Sequence, residues 1–413
     1  MSEPQMSTIT DPAHRPKPEE QHAFEAALEH LVQQTTGPSD DTLASHCAAD
    51  TPLSLATQAL KSKHRWFEHF YPKELYEDVE ARMEELFAGH HLGNYVALRT
   101  NPPTKIFEDM PIAVRLGMHI LFYRKKASSL LKYDTVEDML EKLSIKQGKA
   151  YDDTSDPAAV KEHIMDFIKT YDVRLDELVE PDVNKYKCMN AFFYRQIKAS
   201  ARPVAEPENS KVISSAADCR LTVWNNVDAA CKFWIKDHLF TIGRVLDDQS
   251  LADTTFPPGS SIAIFRLAPA DYHRWHNPVG PATVGPTKHL KGEYYTVNPQ
   301  AINKDFAVFT ANRRDIGLVN WTPGGGREQT SHTVAMVAIG AMLVGSVNWI
   351  NFQQGSTVQR GEEQGYFAYG GSTCVTIFPP SAKVEWDADL LANSLAGVET
   401  MVRVNERIGI STA

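Results

Sequence analysis

Between Glu20 and Lys142 the apolar side chains recur three and four residues apart, first at Phe24, Leu28 and Leu31 and then at Leu75, Val79, Met83, Leu86 and Phe87. That period belongs to helices with one buried face, and it predicts a helical region over 21–130. Within it, Pro111 to Lys126 (PIAVRLGMHILFYRKK) opens on a proline suited to a first helical turn and closes on three cations suited to a helix C-terminus. Its apolar face suits a core, and it would also suit a lipid surface. Two shorter helical patterns, HIMDFIKTY and MNAFFYRQI, precede ARPVAEPENS (201–210), whose prolines end the helical regime. Beyond Lys211 the texture becomes β-branched and aromatic in short runs, RLTVW, SIAIFRL, EYYTV and TCVTIF, separated by Gly, Pro and Asn. The apolar stretch Val334 to Val347 is shorter than the roughly 20 residues that span a bilayer, and it reads as buried strands. Glycines punctuate Gly355 to Phe367 in the manner of hairpins in a small barrel-like sheet. The expected class is α+β, an N-terminal helical region followed by a mostly antiparallel β domain with barrel-like sheets.

Composition narrows the partners. The 413 residues carry 52 acidic and 42 basic side chains, a formal charge of -10, which argues against nucleic acid as a partner. Five cysteines (Cys47, Cys188, Cys219, Cys231, Cys374) without CxxC spacing suggest neither a disulfide framework nor a cysteine zinc site, and they fit a reducing, cytoplasmic compartment. Residues 1–20 hold acids and prolines but no apolar signal segment and no Arg-rich presequence, so a disordered tail is expected there.

Three clusters could carry chemistry. Asp271-Tyr272-His273-Arg274-Trp275-His276 follows a strand-like run, and its two histidines, three apart, are candidates for acid and base work. No carboxylate with metal-ligand spacing accompanies them, so a metal is not expected. In Tyr369-Gly370-Gly371-Ser372-Thr373, two glycines before a hydroxyl permit backbone conformations that let the serine reach the preceding carbonyl. Taken alone this is a turn. Ala217-Asp218-Cys219-Arg220 supplies a carboxylate beside a strand. Serine needs a base, and a neutral histidine base needs a carboxylate to fix its tautomer and support the imidazolium; Asp218, one of the two histidines and Ser372 supply that set.

The segments MNAFFYRQIKASARPV, AADCR, IFRLAPADYHRWHNPV, GEYYTVNPQAI, VAIGAMLVGSV, RGEEQGYFAYGGSTCVTIF and VETMVRVNERIG resemble, in order and spacing, the phosphatidylserine decarboxylases. The likeness runs from about Leu130 to Ile410, which sets a catalytic domain at 131–413. The GGST form, LSIKQGKAYDD and FWIKDHLFTIGRVL are most similar to the type II branch. No DxDxDG calcium loop is present, so a member without the calcium-binding extension is expected.

The resemblance implies self-cleavage between Gly371 and Ser372 into a β chain (1–371) and an α chain (372–413) that stay associated. A covalent pyruvoyl group made from Ser372 would then act as electron sink, with neither pyridoxal phosphate nor a metal. It places the charge-relay pair on Asp218 and His276, and substrate handling on His273. The implied reaction is decarboxylation of phosphatidylserine to phosphatidylethanolamine, with peripheral contact to an endomembrane and a homodimer as a candidate assembly. The alternatives are a soluble decarboxylase of a free amino acid and an uncleaved scaffold. Two departures stand out: Ala216 where the family usually has proline, and Pro278-Val279-Gly280-Pro281 where it usually reads PVDG. On a denaturing gel, wild-type protein is expected to split off residues 372–413 and Ser372→Ala to remain one full-length band. Equal splitting of both would contradict the assignment of the cut.

Overall fold

The computed structural model describes residues 93–109, 149, 151–230, 240–268, 270–292, 308–324, 330–340, 346–368 and 372–413. By contacts the chain divides into two units, 1–95 with 105–133, and 96–104 with 134–413. Little of the first lies among the described residues, so the 1–20 tail, the helical patterns before Gly93 and Pro111 to Lys126 fall outside them. Where 21–130 is described it is not helical: Gly93–Leu98 (β1) and Thr104–Asp109 (β2) are strands. The helical expectation fails there because Val96 to Leu98 find a parallel partner in Glu399 to Met401, and pairing overrides local preference.

In the second unit, helix α1 (Pro157–Tyr171) starts where Asp156 accepts from the backbone of Ala158 and Ala159, with proline in the first turn. It buries Ile164 and Phe167. Helix α2 (Met189–Phe193) follows, shorter than the apolar pattern suggested. The strands are then β3 (Val212–Ser214), β4 (Cys219–Trp224), β5 (Ser261–Leu267), β6 (Arg274–His276), β7 (Ala282–Leu290), β8 (Arg314–Trp321), β9 (His332–Gly340), β10 (Ser346–Trp349), β11 (Thr357–Val358), β12 (Glu363–Ala368), β13 (Ser372–Phe378), β14 (Val384–Trp386), β15 (Glu399–Val402) and β16 (Arg407–Ser411). RLTVW, SIAIFRL and TCVTIF are strands as expected, and Val334 to Val347 contributes to two, whereas EYYTV lies outside the described residues.

Within this unit the large sheet runs β11-β7-β8-β9-β13-β5-β4-β15-β1, antiparallel except at β1, and two smaller sheets run β10-β12-β6 and β14-β16-β3. The architecture is mixed α and β with mostly antiparallel sheets, and among the described residues no sheet closes into a barrel. Strands β4, β5 and β13 are buried at every position, which is why they read as near-continuous apolar runs. One face of the sheet packs Leu221, Phe265, Leu267 and Cys374 against Trp275, Val347 and Phe367 of the small sheet. The other buries Ile264, Ile339 and Val375 with Val245, Leu246 and Phe309. Among the described residues no helix is long and apolar enough to cross a membrane.

Strands β9-β13-β5 of the large sheet and β10-β12-β6 of the small one stand in the same order. The chain links β9 to β10 through 341–345, β12 to β13 through 369–371 and β5 to β6 through 268–273. Each of these strand pairs therefore joins the two sheets, as strands do at the corners of packed sheets. The GGST motif spans the middle connection and its exit. The expected hairpin in Gly355 to Phe367 is not one, because β11 pairs with β7 while β12 pairs with β10 and β6. Its glycines answer to packing: a Cβ on Gly365 would stand 2.1 Å from Trp275 Cζ2 and 2.4 Å from the Asn348 carbonyl. Gly365→Ala is expected to destabilise the protein by about 1–3 kcal/mol through overpacking. Denaturant unfolding checks this, and an unchanged midpoint would contradict it.

Candidate active site

Ser372 is the first residue of β13, opposite Leu267 of β5 and Gly340 of β9. Strand alternation puts its side chain on the face shared with Leu267 and Cys374. It is fully buried, and among the described residues its Oγ has no hydrogen-bond partner. Tyr369 to Gly371 lie outside the described residues.

The histidine segment borders the same corner. The Phe367 N–H, just before the GGST link, donates to the His273 carbonyl at 2.9 Å. The expected loop is partly a strand: Arg274 to His276 form β6 against β12, which separates the two histidines' partners. His273 is fully buried, stacks on Phe193 with ring centroids 4.0 Å apart and places Nδ1 3.0 Å from the Asp271 carbonyl. His276 places Nδ1 2.7 Å from the Gly361 carbonyl and Nε2 3.2 Å from the Tyr272 hydroxyl. A carbonyl only accepts, so the His276 proton sits on Nδ1 and the lone pair on Nε2, where Tyr272 donates.

Asp218 is buried too, but its carboxylate does not reach His276 by a hydrogen bond. Arg202 grips it through Nε (3.0 and 3.1 Å) and Nη2 (2.7 Å), and the Val404 N–H donates at 2.8 Å. Arg202 Nη1 also reaches Glu177 at 2.9 Å. The His276 backbone meets this segment through the Ala216 carbonyl at 2.7 Å. Proline at 216 would offer the same carbonyl, so that departure leaves the contact available. The other departure has a packing reason: a Cβ at Gly280 would lie 2.3 Å from the Arg360 backbone nitrogen.

The groups around the histidines that sequence reasoning passed over are Tyr272, Gly361 and Arg202. Tyr272 stood inside the quoted DYHRWH cluster. Gly361 has φ +82, and a Cβ there would stand 2.5 Å from Val204 Cγ2, so glycine alone brings its carbonyl to His276. Asp271 accepts from Arg220 at 2.5 and 2.6 Å and from the Ala268 N–H at 2.6 Å, which ties the β5–β6 connection to β4. Burial still pushes its carboxyl above the usual range, against the pull of Arg220. Among the described residues no three His, Cys, Asp or Glu side chains cluster as metal ligands.

Comparison with known proteins identifies the family. The family model for phosphatidylserine decarboxylase matches residues 189–409, more than half of the chain. The chain belongs to the phosphatidylserine decarboxylase family. It is 40% identical over 302 residues to phosphatidylserine decarboxylase proenzyme 3 of Schizosaccharomyces pombe, covering 73% of this chain and 29% of that protein. It is also 40% identical over 301 residues to proenzyme 2 of Oryza sativa, covering 72% and 45%. The proenzyme of Fusobacterium nucleatum is 35% identical over 249 residues, 60% of this chain and 78% of that one. The chain thus spans less than half the length of these eukaryotic relatives and most of the bacterial one.

Withdrawal from water lowers the His276 pKa below its ordinary 6.5, partly offset by the Gly361 carbonyl. The neutral ring's contribution to stability is therefore fully present above about 6.5 and is lost as pH falls below it. In Ser372→Ala protein, NMR titration of His276 is expected to find a midpoint under 6.5. A midpoint above 7 would contradict the burial account.

Proposed function

We propose that the chain is a self-processing decarboxylase that converts phosphatidylserine to phosphatidylethanolamine and carbon dioxide, using a pyruvoyl group derived from Ser372. The observation that carries this reading is the buried Ser372 Oγ, without a partner among the described residues, at the exit of a GGST link just before which Phe367 bonds the His273 carbonyl. An unpaired buried hydroxyl costs about 1–3 kcal/mol, and a nucleophile awaiting its reaction is a reason to keep one.

In processing, Oγ adds to the Gly371 carbonyl and its proton passes to His276 Nε2. Rotation of the Tyr272 O–H about its C–O bond frees that lone pair. The Gly361 carbonyl holds Nδ1–H, and the Asp218 carboxylate supports the imidazolium through its field while bound to Arg202. Such base assistance is worth roughly 100-fold to 10,000-fold. The Gly371–Ser372 amide becomes an ester, elimination releases the Gly371 carboxylate, and hydrolysis of the remaining dehydroalanine expels ammonia.

The environment of residue 372 fits the product. Residues 372–377 are paired on both sides by β5 and β9, so a cut before Ser372 leaves the new end clamped and the two fragments associated. The group supplies, when formed, an electron sink for the pair released with carbon dioxide. His273 would take a proton from the substrate's ammonium group and return it to the carbon that lost its carboxylate. The apolar cluster that includes Leu267, the residue opposite Ser372, favours loss of the charged substrate carboxylate. A phospholipid substrate brings the enzyme to a membrane surface as a peripheral protein.

Self-cleaved protein is expected to release carbon dioxide from phosphatidylserine vesicles and not from free serine or aromatic amino acids. Release from free amino acids alone would overturn the lipid assignment.

A further inference from the structure

One buried cation beside the site has no part in the chemistry above. Arg195, two residues beyond α2, is 4% exposed. Its Nη2 donates to the Ala270 carbonyl at 2.9 Å and the Asp271 carbonyl at 3.3 Å, and its Nη1 to the Phe193 carbonyl at 3.4 Å. The guanidinium lies over the rings of Phe192 and Phe167, 5.4 and 5.9 Å from their centroids. Among the described residues its Nε has no acceptor, and its hydrogen bonds all go to main-chain carbonyls. Burial pushes its pKa down to about 10, against the pull of Asp218 and Asp271. An apolar side chain of similar size would fill the space without that desolvation.

The carbonyls Arg195 grips are those that hold His273. The Asp271 carbonyl also takes the His273 Nδ1–H, at 3.0 Å, which leaves the lone pair on Nε2. Phe193, whose carbonyl meets Nη1, lays its ring on the imidazole at 4.0 Å. Arg195 thus binds both what fixes the edge of the ring and what covers its face. Only a planar fork reaches these carbonyls at once; an ammonium is a single point of charge.

We infer that Arg195 is a positioning residue for His273, locking the Asp271 carbonyl and Phe193 so that the imidazole keeps one tautomer and one angle in the site. The inference rests on the role in turnover proposed above for His273.

The test uses self-cleaved protein with phosphatidylserine vesicles and compares wild type, Arg195→Met, Arg195→Lys, His273→Ala and the Arg195→Met/His273→Ala double variant. Arg195→Met is expected to lose about 100-fold in kcat, the scale of a misplaced catalytic group, with KM little changed. Arg195→Lys recovers part of the loss, and the double variant is no slower than His273→Ala alone, because the two residues act as one unit. Wild-type kcat in both Arg195 variants, a rise in KM alone, or losses that multiply in the double variant would overturn the inference. If Arg195→Met does not fold, Arg195→Lys and its double variant with His273→Ala carry the same comparison. Undiminished turnover in His273→Ala would remove the role of His273 itself, whereas loss there with none at Arg195 would remove only the positioning role.

Discussion

A buried hydroxyl without a partner is destabilising, and strand register holds the Ser372 hydroxyl where none is found among the described residues. Strand β13 is paired on both sides from its first residue, so the main chain at 372 cannot shift without breaking two ladders. Alternation along the strand then leaves the side chain among Leu267 and its neighbours. Other parts of the site lie near that position: the strand pairs that join the two sheets, the β5–β6 connection that carries His273, and the α2 segment, whose Phe193 packs on that ring.

Buried ion pairs do much of the aligning. Arg220 with Asp271, Arg266 with Glu399 and Arg202 with Asp218 each join one strand or its entry to a different segment. Such pairs add little net stability, but removing one partner strands the other, so they specify which segments meet. The support given to the two histidines comes from main-chain carbonyls, Asp271 for His273 and Gly361 for His276. A carbonyl fixes the tautomer as firmly as a carboxylate would, without adding a second charge to the buried layer.

Much of this was legible in the residues. TCVTIF and SIAIFRL declared themselves as strands because both faces are buried, and HIMDFIKTY showed the stripe that places Ile164 and Phe167 in a core. The GGST, DYHRWH and AADCR clusters were each singled out from the residues alone. What escaped depends on contacts distant in sequence. Gly361 and Gly365 look like hairpin glycines until Val204 and Trp275 are seen against them. The pairing of Asp218 with Arg202 could not be told from a pairing with His276, since any nearby cation satisfies a carboxylate. Residues 93–98 read as part of a helical region because their parallel partner, β15, stands some three hundred residues later in the chain.

The account turns on chemistry at one backbone bond, and intact mass spectrometry of the small fragment from purified protein tests it most directly. The predicted fragment begins at residue 372 and weighs one ammonia less than the peptide that simple hydrolysis before Ser372 would leave, with a blocked N-terminus that a carbonyl reagent labels. A fragment of the plain hydrolytic mass, carrying a free serine amine, would contradict the account.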